Sequence, residues 1–430
     1  MHEDGLALAV VGAIELLLVA SLSAVVLRRL RFPYTIGLVV VGILLAFVPE
    51  DLHALDPLRQ IRLTPDVVLY LFVPTLIFPA AVHLDPRLLR ENLVPILLLA
   101  VPGVILSTAI VGGIVGMLAP VSWGAALLFG ALIAATDPIA VVALFKEMKV
   151  PGRLSILVDG ESLLNDAVAV VLFTVVLSVT QSGDVGSGTV ARGALAFVLV
   201  SLGGLGVGVV LAVIYGWVAR LAEGDHVIEI ALSVVLAYTA FVVSDHYLHV
   251  SGIMAVVGAG LTAAALRRGR LSPDTRAYLE HYWSYAEFVA NSAVFLYLGM
   301  RGNAFFQRLL DSAAPERMYI GYAILAVIVA RLIVLPGLVG LSNAIGRVEP
   351  IGWREQAIML WGGGLRGALP LVMAVSLPPG FTHRQLIVDM TAGVVLFTLL
   401  IQGTTVGRLI RAWGSAETSA TLPAGQAPVT

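Results

Sequence analysis

Residues 134–173 read AATDPIAVVALFKEMKVPGRLSILVDGESLLNDAVAVVLF, and most of this stretch is apolar enough to lie in a bilayer. It nevertheless carries three acids, Asp137, Glu161 and Asp166. An ionised group at membrane depth is costly, so such residues usually face a polar cavity and mark an ion pathway or a proton relay. We therefore interpret this stretch as the functional site of a membrane protein.

The sequence predicts a broken helix near Asp137. Pro138 follows directly and cannot donate a backbone hydrogen bond, so carbonyl groups around Thr136 lose their helical partners. In a membrane, such carbonyl groups must face either protein or a water-filled cavity.

The polar side chains of the GESLLND segment lie on neighbouring rows of one predicted helix. Glu161 and Asn165 are four residues apart, and so are Ser162 and Asp166, which places all four along one strip. A hard cation would find oxygen ligands in this strip.

The composition assigns the whole chain to a membrane. Of its 430 residues 59% are hydrophobic and 13% are charged, and the mean hydropathy is +0.96, which is too apolar for a soluble protein of this size. Apolar runs of about 15 to 25 residues suit membrane-spanning helices and not barrel strands. The predicted fold class is an all-α polytopic membrane protein. Since the chain has no cysteine, disulfide frameworks and thiolate metal sites are excluded.

Thirteen membrane spans are predicted from the apolar runs. They lie at residues 6–27, 34–48, 64–82, 92–117, 123–145, 155–179, 191–216, 226–245, 251–266, 284–300, 317–345, 355–376 and 386–410. One set of alternate loops and helix ends holds 17 Lys and Arg residues, and the other set holds seven. Because short cytoplasmic loops are enriched in Lys and Arg, this bias predicts an external N-terminus and a cytoplasmic C-terminus.

The spans divide into two six-helix halves around a linking seventh span. The first repeat is predicted at about residues 6–180, the linking helix at 191–216 and the second repeat at 226–410. Because seven is odd, the two halves are inverted across the membrane. Residues 414–430 are small and polar, which predicts a short disordered cytoplasmic tail.

The fifth span of each half carries a helix-breaking sequence. In the first half it is ATDP, and in the second half it is the glycine- and proline-rich run from Gly362 to Pro370. Matching breaks in inverted halves point to a transport site near the midplane of the membrane.

Other polar residues inside or near the predicted spans receive ordinary interpretations. Five further acids lie close to predicted span ends, where solvated or snorkelling acids are common: Glu15, Asp66, Glu229, Glu287 and Asp389. Asn291, in the tenth span, is predicted to form a hydrogen bond across helices. Two arginines, Arg331 and Arg366, lie inside spans and need partners.

Five segments of the chain resemble signatures of the monovalent cation/proton antiporter family, in the prokaryotic type of its sodium/proton exchanger branch. They are ATDPIAV, DGESLLNDAVAVVLF, NSAVFLYLG, VARLIV and GGLRGAL, and they cover nearly the whole membrane part in the family's order. The resemblance implies an inverted-repeat homodimer with two crossed broken helices and an alternating-access motion.

The resemblance also implies which residues bind the ions. It makes Asp166 the carboxylate that binds the cation and the proton, with Ser162 and Thr136 beside a bound Na⁺. Glu161 and Asn165 are included in the predicted binding set because they share the strip. No other metal site is expected.

The remaining charged residues are expected to compensate charge. The resemblance pairs Glu161 with Arg331, which we interpret as a structural ion pair between two spans. It places Asp137 and Arg366 at the two helix breaks, where they offset the positive and negative ends of the half-helices.

Charge counting then predicts exchange. Three core carboxylates face two arginines, so one acid lacks a basic partner. Burial disfavours a lone charged carboxylate, which therefore binds a proton unless a cation replaces it. If the protein changes the side of the membrane to which the site is open only when Asp166 carries a proton or a cation, the proton gradient and the cation gradient are coupled. Since Asn165 adds no second acid, we expect one proton per monovalent cation.

The sequence thus predicts an electroneutral sodium (or lithium)/proton antiporter of the plasma membrane. We expect no enzyme activity, no cofactor and no nucleic-acid partner; the expected partners are Na⁺, H⁺, membrane lipids and a second copy of the chain. A potassium/proton antiporter stays open, because ligand number and cavity size decide ion preference. A cation channel and an intramembrane aspartyl protease using Asp137 and Asp166 are less favoured, since the protease leaves the arginines unexplained.

Overall fold

A computed structural model gives the structure of the protein. It describes residues 2–30, 34–48, 57–58, 67–137, 141, 145, 150, 152–182, 187–222, 225–267, 273–301, 316–346 and 348–411. Regular secondary structure in these ranges is helical throughout, without a strand, and the predicted all-α fold is confirmed. The predicted tail at 414–430, and Pro138 in the first helix break, lie outside the described residues.

The helices follow one another with short connections. They are α1 (His2–Leu30), α2 (Tyr34–Ala46), α3 (Val73–His83), α4 (Pro86–Glu91), α5 (Leu93–Ala100), α6 (Pro102–Leu118), α7 (Trp123–Ala134), α8 (Gly152–Ser182), α9 (Ser187–Ala219), α10 (His226–Val242), α11 (Gly252–Arg267), α12 (Pro273–Arg301), α13 (Glu316–Ile345), α14 (Trp353–Trp361), α15 (Ala368–Ser376) and α16 (Arg384–Phe397). Short π-helical segments precede α3 at Val68–Phe72 and extend α10 and α16.

Seven helical stretches of the described chain are long and apolar enough to cross a membrane. They are Val10–Leu30, Leu93–Leu118, Gly152–Ser182, Ala191–Ala219, His226–Tyr247, Glu316–Ile345 and Arg384–Arg411. Shorter apolar helices lie within α2, α3, α7 and α11. Each of the thirteen predicted spans overlaps one or two of the helices α1–α16. The division into inverted repeats stays a prediction.

The helices that carry the polar residues lie inside the bundle. α7 packs against α6 and α8, while α15 packs against α7, α12 and α16. Residues of α7 from Ala125 to Ala134 are almost all fully buried, and so is most of α15. The two short helices are therefore surrounded by protein, which allows their ends to stop within the membrane.

The start of α12 differs from the predicted span. The helix begins at Pro273, well before the predicted residue 284, with proline in its first turn and Asp274 beside its N-terminal end. The first turns are polar and so gave no membrane signal, yet they pack: Trp283 is buried and donates to the Ser233 hydroxyl at 3.1 Å. Glu287 consequently lies about four turns inside the helix.

Two acids that were predicted to be solvated are buried. Glu229 on α10 is 3% exposed and forms an ion pair with Arg267 of α11, which also donates to the Tyr215 hydroxyl. Asp389 is 3% exposed and accepts a hydrogen bond from Gln385 at 3.0 Å. The solvated interpretation was wrong for both. The partner of Glu229 comes from the packing of α10 on α11, whereas Gln385 lies one turn before Asp389 on α16 itself.

α9 and α11 pack with their backbones in direct contact at Gly208. A Cβ atom on Gly208 would collide with the carbonyl oxygen of Ala255, whereas a Cβ on Gly206 would meet no atom within 4 Å. Small residues let membrane helices approach to backbone contact. A larger residue in place of Gly208 would therefore force α9 and α11 apart.

We expect Gly208→Ala to destabilise the protein by about 1–3 kcal/mol, because the added methyl group forces two backbones apart. Thermal unfolding of the purified protein in detergent measures the effect. Gly206→Ala is the matched control, since it makes the same change on the same helix where space is open. Equal melting temperatures for the two variants would contradict the packing argument.

Candidate functional site: two crossed helix breaks beside a polar cavity

The two predicted helix breaks meet at the centre of the bundle. α7 ends at Ala134 and α14 ends at Trp361, and the backbone is not helical at 135–137 or at 365–367. The amide of Asp137 donates to the carbonyl of Leu365 at 2.8 Å, which joins the breaks directly. Pro370 lies within the first turn of α15, where a missing N–H costs nothing. Both predicted interruptions are present.

Arg366 satisfies the carbonyl groups left open at the end of α7. Its Nη1 atom donates to the carbonyls of Ala134 at 2.6 Å and Ala135 at 3.0 Å, and the residue is only 5% exposed. The C-terminal end of a helix carries partial negative charge, which a guanidinium offsets. The structure thus places Arg366 at a helix end, as the resemblance implies.

Asp137 occupies the complementary position at the start of α15. Gly367 is the N-cap of that helix, and a Cβ atom there would overlap the Asp137 carboxylate. Only glycine lets the acid approach so closely. Negative charge is favourable at a helix N-terminus, so each break carries a charge of the sign that its neighbouring helix end requires.

Glu161 and Arg331 form a bidentate ion pair between α8 and α13. Arg331 Nη1 donates to Glu161 Oε1, and Nη2 donates to Oε2 at 3.2 Å and to the carbonyl of Met359 at 3.0 Å. Glu161 is 1% exposed. The pair therefore ties α8 and α13 to the end of α14, just before the second break.

Asp166 receives its hydrogen bond from the backbone of the first break. The amide of Thr136 donates to Asp166 Oδ1 at 3.1 Å, while the Ser162 hydroxyl donates to the Thr136 carbonyl at 2.5 Å. Ser162 and Thr136 also join through their hydroxyls at 3.3 Å. The three residues predicted to surround Na⁺ are thus in mutual contact.

A cavity of about 540 Å³ reaches Asp166, Ser162 and Thr136. Near this inner end it is lined by Asp137 and Gly367, and it comes to the surface beside the exposed residues at 83 and 152. A volume this large holds many waters and hence a hydrated cation. No cluster of three His, Cys, Asp or Glu residues suited to a metal occurs in the described part of the chain, so a cation here would rely on hydroxyl and carbonyl oxygens besides the carboxylate.

Glu161 and Asn165 lie away from this cavity. The Asn165 amide donates to the Thr136 hydroxyl at 3.4 Å, and with Arg331 and Arg366 it borders a separate void of about 20 Å³. The void can hold one water, and Asn165 Oδ1 faces no hydrogen-bond partner among the described residues. The predicted binding set of five therefore divides into three cavity residues and two that support them.

Sequence reasoning missed acids that line the cavity. Five carboxylates face it, but His83 is the one basic side chain among its described lining residues; the acids are Asp85, Asp137, Asp159, Asp166 and Glu287. Asp159 follows Ser155 by one turn and precedes Asp166 by two on the same face of α8, which a longer search along the strip would have found. Such a concentration of one charge raises the local concentration of cations.

Glu287 and Asn291 were misplaced by the sequence analysis. Glu287 lines the cavity from the middle of α12, because that helix starts earlier than predicted. Asn291 lines it as well, and within the described residues its side chain makes none of the predicted hydrogen bonds to another helix. The signal available in the sequence was the proline and acid that open α12.

A bundle with two crossed helix breaks and an acidic cavity that ends at a membrane-depth carboxylate defines a multi-pass membrane transporter. Residues 16–412 match the family model described as the transmembrane part of the sodium/hydrogen exchangers, and the chain belongs to that family. The resemblance drawn from the five segments is confirmed.

Relatives and a solved structure agree with this assignment. The chain is 36% identical over 401 residues to the Na⁺/H⁺ antiporter ApNhaP of Aphanothece halophytica, covering 92% of this chain and 72% of that protein. It is 37% identical over 400 residues to the low-affinity Na⁺/H⁺ antiporter NhaS1 of Synechocystis, covering 90% and 71%. The fold is similar to that of the sodium proton antiporter MjNhaP1 of Methanocaldococcus jannaschii at pH 8, with a TM-score of 0.74, 20% identity and coverage of 94% and 98%.

We expect Arg331→Met to destabilise the protein by roughly 3–5 kcal/mol, because it leaves the buried Glu161 charge without a partner. The double variant Glu161→Met with Arg331→Met should recover most of this loss, since it removes both charges. Thermal unfolding in detergent of the two single variants and the double variant provides the comparison. A double variant that is no more stable than Arg331→Met would refute the account of a structural pair.

Proposed function

We propose that the protein exchanges Na⁺ for H⁺ across the membrane at Asp166. The position of this carboxylate supports the proposal. Asp166 lines a cavity that leads to the surface, while Arg331 pairs with Glu161 and Arg366 donates to backbone carbonyls. A carboxylate at this depth needs a proton or a cation to mask its charge. The relatives named as Na⁺/H⁺ antiporters support Na⁺ as the cation.

The cation site that we propose combines three oxygens. They are a carboxylate oxygen of Asp166, the hydroxyl of Ser162 and the carbonyl of Thr136. In the present arrangement Ser162 donates its hydrogen to that carbonyl, so the hydroxyl must rotate before both oxygens can face a cation. A proton on Asp166 leaves this hydrogen bond intact, whereas Na⁺ replaces it, and the two ligands therefore compete for one place.

The stoichiometry follows from the charges around this place. Glu161 and Arg331 neutralise each other, while Arg366 and Asp137 offset opposite helix ends. Asn165 carries no charge, so among the residues beside the first helix break Asp166 is the acid that changes its ligand. We infer that one proton is exchanged for one Na⁺ or Li⁺ and that the exchange is electroneutral.

The orientation in the membrane is part of the proposal. The cavity comes to the surface where α3 ends and α8 begins, and the adjoining loops hold the basic residues that predict a cytoplasmic location. The present conformation would thus open Asp166 to the cytoplasm, with the N-terminus outside the plasma membrane. Exposed apolar side chains of α1 and α9 suit contact with lipid and with a second copy of the chain.

We expect Asp166→Asn to reduce exchange at least about 100-fold, because the amide can neither release a proton nor neutralise Na⁺. Proton flux is measured with a pH-sensitive dye in sealed liposomes on addition of Na⁺, Li⁺ or K⁺. Asp274→Asn, an exposed acid at the start of α12, is the control and should match the wild type. If Asp166→Asn exchanges at the wild-type rate, the site assignment fails; if K⁺ alone drives exchange, Na⁺ is the wrong substrate.

An imposed membrane potential tests the stoichiometry. One uncompensated charge crossing 100 mV gains about 2.3 kcal/mol, which would change an electrogenic rate strongly. We expect the initial exchange rate to be the same within about twofold at zero potential and at 100 mV of either sign. A rate that follows the potential would refute one-for-one exchange.

A further inference from the structure

Asn291 is a buried amide that lines the cavity. It is 8% exposed, it lines the same cavity as Asp166, and its side chain has no hydrogen bond within the described part of the structure. Its amide atoms open to the cavity and are not enclosed by protein, so water or a cation can reach them. The amide is therefore suited to a partner that comes from the cavity.

Glu287 lies on the same face of α12, one turn before Asn291. The i,i+4 spacing directs both side chains to one side of the helix, and both contribute to the cavity wall. A contact on another side of α12 supports this orientation: Ser292, about 100° further round the helix, shares a 2.7 Å hydrogen bond with Tyr34. The carboxylate and the amide thus face the cavity as a pair.

The pair and Asp166 contribute to different walls. Glu287 and Asn291 come from α12, which packs against α3 and α15, whereas Asp166 comes from α8. The cavity is far larger than a single ion, so a cation within it keeps much of its hydration shell. Oxygen ligands such as carboxylates and amide carbonyls bind hard cations, directly or through water.

We propose that Glu287 and Asn291 form an outer binding site for a hydrated monovalent cation, from which the cation passes to Asp166. The inference rests on the proposed function, because it assigns the first contact of the transported ion. Glu287 supplies the charge that attracts the cation, and Asn291 supplies a neutral oxygen. This division explains why a carboxylate and an unpaired amide occur together on one face of a membrane helix.

The outer site affects the apparent affinity for Na⁺ more than the maximal rate. We expect Glu287→Gln to raise the apparent KM for Na⁺ about three- to tenfold while lowering the maximal exchange rate by less than about twofold. Asn291→Ala should raise KM about two- to threefold. Full-length protein in liposomes, assayed by proton flux over a range of Na⁺ concentrations, gives both parameters. Glu280→Gln removes an exposed acid from the same helix and should match the wild type.

Ionic strength separates an electrostatic role from a structural one. Salt screens an attraction between a cation and a fixed carboxylate, so a choline salt should raise the wild-type KM for Na⁺ and affect Glu287→Gln less. An unchanged KM in Glu287→Gln, or an equal dependence on choline in both proteins, would overturn the proposal. If Glu287→Gln lowers both the maximal rate and the melting temperature, the proposal is also overturned, because a residue that only stabilises the fold would give that result.

Binding of radioactive Na⁺ distinguishes failure of this proposal from failure of the exchange function. With the inner site removed by Asp166→Asn, we expect weak Na⁺ binding to persist and to fall by at least threefold on adding Glu287→Gln. If the wild type exchanges Na⁺ but Asp166→Asn binds none, the outer site does not exist. If the wild type exchanges no Na⁺ but this residual binding is seen, the exchange function fails and the outer site stands.

Discussion

The contact between Arg366 and the open end of α7 is the interaction on which the site depends. A helix that stops within a membrane leaves carbonyl groups that no water can reach, and each unpaired group is costly. Arg366 satisfies the carbonyls of Ala134 and Ala135, while the amide of Asp137 donates to the carbonyl of Leu365. Each break therefore supplies what the other lacks, and neither is stable in this form alone.

The partners of the two arginines determine which acid in the membrane interior is left without a hydrogen-bonded basic partner. Arg331 donates its hydrogen bonds to Glu161, and Arg366 donates to carbonyl oxygens, so the hydrogen bonds of both arginines go to groups other than Asp166. The cavity adds further carboxylates and one histidine. In the exchange that we propose, a mobile cation or proton is the partner of Asp166. The preference for a cation thus depends on the hydrogen bonds that occupy Arg331 and Arg366 as well as on the carboxylate of Asp166.

The sequence predicted the helices and the two breaks because hydrophobic length, proline and glycine act locally. It predicted the charged pair of Glu161 and Arg331 only through resemblance, since nothing in the spacing of two residues so far apart requires contact. Asn165 and Asp166 are adjacent, yet side chains turn by about 100° per residue, so Asn165 borders the small void and Asp166 the large cavity. Glu287 and Asn291 were missed because polar first turns concealed the true start of α12, and because facing surfaces arise only from packing.

Thr136 contributes mainly its backbone, with an amide that bonds to Asp166 and a carbonyl that accepts from Ser162. Main-chain groups cannot be exchanged by a point mutation at their own position. The oxygen that Thr136 supplies can therefore be moved only by residues that shift where the chain unwinds. Replacement of the Thr136 side chain can leave this backbone group in place, while a change in the length of α7 would move it.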